Sequence, residues 1–68
     1  MCGKESRHYK LAVTRYGQAQ KEGNISEKKN LLEEALSGLD KAFTGVEQDD
    51  DYKTFRNAIN SELAQLNN

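Results

Sequence analysis

The chain has 68 residues, with 35% apolar and 31% charged side chains and a formal charge of −1. That allows one small domain, and a mean hydropathy of −0.94 means it folds only if its apolar residues line up on the inner faces of its elements. One cysteine, Cys2, and one histidine, His8, exclude an internal disulfide framework and any multi-cysteine or multi-histidine metal site. The longest apolar run, Leu11-Ala12-Val13, is far short of a membrane span or a secretory signal core, so the expected setting is cytoplasmic.

The first predicted helix covers about 6–22. Tyr9, Ala12, Val13, Tyr16 and Ala19 share a face, and Gly23 follows the last turn as a stop. Gly17 lowers helix propensity locally. Leu11 lies nearly opposite the apolar face and marks either an ordinary exposed leucine or a contact surface. Residues 1–5 are expected to fray.

The second helix, about 25–44, is the clearest. Leu32, Ala35, Leu36, Leu39, Ala42, Phe43 and Val46 recur at steps of three and four, and Leu31, Ala35, Gly38 and Ala42 widen the stripe along one flank. A face this wide suits a middle helix touching two neighbours. Asn24 with Glu27 three residues later reads as a capping box, with Ser26 an alternative cap. Gly38 costs about 1 kcal/mol against alanine inside a helix. It is either a tolerated glycine or the point where another helix comes close. Gly45 suits the left-handed position just past the helix end.

The third helix, about 50–66, opens on Asp49-Asp50-Asp51. Tyr52, Phe55, Ile59, Leu63 and Leu66 then fall on one face. The aspartates complement the amide dipoles at the helix start. They lack the alternation, glycine and distal carboxylate of a calcium loop. Asn67-Asn68 are expected to fray.

Short connections make neighbouring helices antiparallel, giving an all-α, up-down-up three-helix bundle over 1–68. Its expected core is Val13, Tyr16, Leu32, Ala35, Leu36, Leu39, Phe43, Phe55, Ile59 and Leu63.

Charge is uneven along the chain. Residues 1–23 carry five basic side chains against two acidic ones, and residues 47–68 carry five acidic against two basic. Attraction between the terminal segments within one bundle accounts for this more economically than a surface for an acidic partner. Nucleic acid is disfavoured, because Arg7, Lys10, Arg15 and Lys21 are too few and too scattered.

Reaction chemistry is largely missing from the sequence. Met1-Cys2-Gly3 resembles the processed start of class II glutamine amidotransferases over those three residues alone, and Lys4 stands where an apolar residue is usual there. Cys2 and His8 sit near a chain end, without the orienting third group a nucleophile pair needs. No phosphate loop, HExxH or GxSxG occurs, so no catalytic residue, metal or cofactor is expected.

Ala12, Tyr16 and Ala19, then Glu22-Gly23-Asn24, then Leu31-Leu32-Glu33-Glu34-Ala35-Leu36 resemble the helix–turn–helix of tetratricopeptide repeats. With the leucine-rich stretch from Phe55 to Leu66, they resemble more nearly the microtubule-interacting and trafficking domain. Glu27, Lys28, Lys29 and Asn30 depart from that family, which commonly has alanine and aromatics there. The resemblance implies an antiparallel three-helix bundle that accepts a short partner helix in a groove between two of its helices. Grooves beside the third helix would be edged by Arg56, Ala58, Asn60 and Glu62.

The first functional reading is therefore a non-catalytic module that binds another protein through helix grooves, with Leu11, Arg15, Arg56, Ala58 and Glu62 as candidate contacts. The runner-up is a small free-standing inhibitor or regulator, a homodimer in one version, which the opening methionine suits. A third reading is nucleic-acid binding through the basic first helix.

Overall fold

The computed structural model describes residues 3–66. After a 3-10 turn at Gly3–Glu5 come three helices: α1 (Arg7–Lys21), α2 (Ile25–Ala42) and α3 (Asp50–Leu66). Where fraying was expected, Gly3–Glu5 form a closed turn, with the Ser6 amide donating to the Gly3 carbonyl at 3.1 Å. Met1, Cys2, Asn67 and Asn68, on which the rest of that expectation fell, lie outside the described residues.

Each helix is started by a short polar side chain. Ser6 caps α1, its Oγ accepting from the His8 amide at 3.1 Å. Asn24 caps α2, its Oδ1 accepting from the Glu27 amide at 3.0 Å. The return half of the capping box goes elsewhere: the Asn24 amide donates to Glu22 Oε1 at 3.1 Å. Asp49 Oδ1 accepts from the amides of Asp51 and Tyr52 at 2.8 and 3.4 Å, so the first aspartate of the triplet is a cap, and Asp50 and Asp51 sit in the first turn.

The helix ends differ from expectation in detail. α1 stops where Glu22 turns extended (φ −80°, ψ 126°), and Gly23 does not adopt a positive φ. The stop is made by one residue leaving the helix, with no left-handed glycine. α2 closes at Ala42; Gly45 takes φ +87°, the left-handed conformation expected of it.

α1 and α2 are the closely packed pair. A Cβ added at Gly38 would lie 3.0 Å from the His8 carbonyl oxygen and 3.5 Å from Ala12 Cβ. This decides between the two readings of Gly38: bare glycine is what lets the backbones approach. Ala12, Ala19, Ala35 and Ala42 are all buried in the core these two helices share. Because Gly38 meets His8 and Ala12, late α2 faces early α1, and the pair is antiparallel.

α3 stands further off and touches α1 mainly through long side chains. Tyr52 and Arg56 reach Asp40 of α2, so α2 and α3 are antiparallel. Tyr9 and Tyr16 meet Phe55 edge-on, with ring centroids 6.1 and 5.2 Å apart, and further along both helices Tyr16 and Gln20 reach Glu62, so α3 runs parallel to α1. The result is the up-down-up bundle.

The buried apolar set is Ala12, Ala19, Leu32, Ala35, Leu39, Ala42, Phe43 and Ile59, with Tyr9, Tyr16, Leu31, Leu36, Tyr52, Phe55, Leu63 and Leu66 partly buried against it. Two expectations are corrected. Val13 is 46% exposed and outside the core. The inner face of α1 is centred on Ala12 and Ala19, and Val13 lies one helical step past it, beyond Tyr16. Val46 is also exposed, because α2 has ended before it and helical spacing no longer places it.

Ile59 is the one fully buried side chain that α3 supplies, and burying it contributes about 1.5–3 kcal/mol. Between exposed partners, the ion pair Lys4–Asp51 adds little, and Arg56–Asp40 adds about 0–1 kcal/mol.

Candidate functional site

The candidate contacts fall at three places. The first is the groove between α1 and α2. His8, Leu11 and Arg15 line it from α1, and Glu34, Ser37, Gly38 and Lys41 from α2. Its floor is shaped by Gly38, whose missing side chain leaves the helices close and the surface above them open. Leu11 is 44% exposed on its rim. Arg15 is held in place: its Nε lies 3.1 Å from Glu34 Oε2, and its Nη1 donates to Gln18 Oε1 at 3.0 Å. Arg7 and Lys41 are exposed and make no ion pair among the described residues.

The second place is the seam between α1 and α3. Glu62 accepts from Tyr16 Oη at 2.5 Å and from Gln20 Nε2 at 2.9 and 3.1 Å. Hydrogen bonding to the carboxylate, with some burial, pushes the Tyr16 hydroxyl above the ordinary tyrosine pKa. Glu62 is thus occupied within the bundle. Ala58, on the same helix, is half-buried.

The third place is the seam between α2 and α3. Asp40 Oδ1 accepts from Tyr52 Oη at 2.8 Å, and Arg56 Nε lies 3.6 Å from the same oxygen. The hydrogen bond to Asp40 raises the Tyr52 pKa; the nearby Arg56 charge opposes this weakly. At the near end of the bundle Lys4 Nζ and Asp51 Oδ2 are 2.6 Å apart, and that pairing raises the lysine pKa.

So the fold brings Leu11 and Arg15 together on one groove and sets Arg56, Ala58 and Glu62 on the flanks of α3, two of them engaged in holding it. Attraction between the terminal segments is realised in Lys4–Asp51, whereas Arg15 and Arg56 find their partners on α2. Reading the sequence element by element missed the α2 half of the groove: Glu34, Ser37 and Lys41. The signal for it was Gly38, flanked at the same spacing by Ala35 and Ala42.

Among the described residues the exposed larger apolar side chains are Leu11, Val13, Ile25 and Val46. Among the described residues no three His, Cys, Asp or Glu side chains converge on a point that could hold a metal ion, and no helix is long and apolar enough to cross a membrane. Cys2 lies outside the described residues. No protein-family model, curated protein or solved structure matches the chain.

Proposed function

We propose that this chain is a non-catalytic protein-interaction module, and that the groove between α1 and α2 receives an acidic amphipathic helix of a partner protein. The observation that carries this reading is Leu11, exposed on the rim of a groove that Gly38 keeps shallow and that Lys41 borders, with Arg7 one helical turn before Leu11 on α1 and neither basic side chain in an ion pair among the described residues. A partner helix would set an apolar side chain against Leu11 and carboxylates against Arg7 and Lys41. Burial then supplies affinity and charge sets orientation. The Arg15–Glu34 pair is already satisfied and shapes the wall. The resemblance to the microtubule-interacting and trafficking domain implies the same class of function.

A photo-crosslinking residue placed at Leu11, with one at exposed Lys53 on α3 as control, tests this in the producing cell. The expected result is one discrete adduct from position 11, lost when Lys41→Glu is added. Equal labelling from both positions, or an adduct indifferent to Lys41→Glu, overturns the reading.

A further inference from the structure

α3 is attached on different terms from the other two helices. The α1–α2 contact is closed at Gly38, backbone against side-chain-free backbone. α3 contributes one fully buried side chain, Ile59, with Tyr52, Phe55, Leu63 and Leu66 only partly buried beside it, and is further tied down by polar contacts of Asp51, Tyr52, Arg56 and Glu62. A helix held this way opens at much lower cost than the hairpin beneath it.

Its connection to α2 is short. Residues 43–49 reverse the chain through two successive tight turns, with the Val46 amide donating to the Phe43 carbonyl at 2.9 Å and the Asp49 amide to the Val46 carbonyl at 3.1 Å. Gly45, at φ +87°, is the single residue of this connection in the left-handed region.

We infer that α3 is an exchangeable helix: its seat on the α1–α2 hairpin accepts α3 of a second copy of this chain, giving a domain-swapped dimer hinged at residues 43–49. The occupant is specified by the seat itself. Lys4 waits for Asp51, Tyr16 for Glu62, and Asp40 for Tyr52 and Arg56, and the second copy presents the same set. Every α3 contact is preserved in the exchange, so the closed and exchanged forms differ only in the hinge and in chain entropy. Gly45 is the residue that holds the balance. With glycine the closed hinge is free of left-handed strain; any L-side chain there penalises the closed form and leaves an opened, helical hinge unharmed. The exchange involves the α3 seat and is independent of the α1–α2 groove.

Light scattering on size-exclusion fractions of the full chain tests it. A tethered α3 sees its own seat at an effective concentration on the order of mM, so the wild-type dimer emerges as total protein approaches about 1 mM. Gly45→Ala meets nothing within 4 Å, so only its φ is penalised. The penalty is about tenfold per chain, hence about a hundredfold in the dimerisation constant. Circular dichroism verifies that this variant remains helical. A four-residue Gly-Ser insertion after Glu47 relaxes the hinge and shifts both proteins toward monomer. An equimolar mixture of Lys4→Glu and Asp51→Lys chains reads the exchange directly, because the charge pair re-forms only between unlike chains. Native mass spectrometry then finds heterodimer above the statistical half. Monomer alone for the wild type and Gly45→Ala at about 1 mM overturns the proposal. So does a dimer whose heterodimer fraction stays statistical, since that dimer is joined elsewhere.

Discussion

Tyr16 and Glu62 are 46 positions apart in sequence, yet the tyrosine hydroxyl donates to the carboxylate at 2.5 Å and ties the end of α3 to α1. The bond carries a formal charge on the acceptor, which makes it stronger than a neutral one. Tyr16→Phe removes the donor and keeps the ring against Phe55. Because Gln20 still reaches Glu62, the variant is expected to lose about 1 kcal/mol. Urea unfolding followed by circular dichroism measures it, and a midpoint identical to wild type would mean that the bond contributes nothing.

Stability falls at alkaline pH. Tyr16 and Tyr52 both have pKa values raised above the ordinary 10.0, each through a hydrogen bond to a carboxylate. The folded state therefore holds these protons more tightly than the unfolded chain. The stabilisation is complete below pH 10, where both states are protonated, and is lost as pH rises through 10 toward the higher folded values. Unfolding midpoints measured from pH 8 upward are expected to decline across that window, and the double variant Tyr16→Phe/Tyr52→Phe to decline less.

Two glycine substitutions separate propensity from packing. Gly17→Ala meets open space and is expected to stabilise the fold by about 1 kcal/mol through helix propensity alone. Gly38→Ala gains the same propensity but pushes a methyl group to 3.0 Å from the His8 carbonyl oxygen. Relieving that contact means moving α1, so the variant is expected to be less stable than wild type by about 1 kcal/mol. Thermal unfolding of the pair decides: equal gains at both positions would show the helices free to part.

The inner face of α1 is testable by size. Val13→Thr, at an exposed position, should change stability by less than about 0.5 kcal/mol. Ala12→Val overfills a fully buried site beside Gly38 and should cost about 1–3 kcal/mol. Reversal of that order in denaturant unfolding would put Val13 back in the core.

The cap of α3 resides in one aspartate of three. Asp49→Ala removes the acceptor for the Asp51 and Tyr52 amides and should cost about 1 kcal/mol. Asp50→Ala removes only a first-turn charge and should cost at most a few tenths. Helical ellipticity and urea midpoints of the two variants check the difference.

The amino-acid sequence determined the three helices, their order and most of their caps. Helical periodicity, short capping side chains and glycine punctuation are local properties: Asn24, Asp49 and Gly45 act within three residues of themselves. It also supplied Leu32, Leu39 and Ile59 as core, since large apolar residues at helical spacing have one inward direction. Tertiary structure alone decided what depends on the distance between helices. The alanine-lined contact at Gly38 made Ala12 interior and left Val13 outside, although valine is the larger hydrophobe. The same closeness joined Leu11 and Arg15 to Glu34, Ser37 and Lys41 in one groove. Glu62 and Arg56, candidate partner contacts by sequence, became fastenings for α3, because which side chain faces which across two helices is set by their separation and rotation, and neither is written in the spacing along one chain.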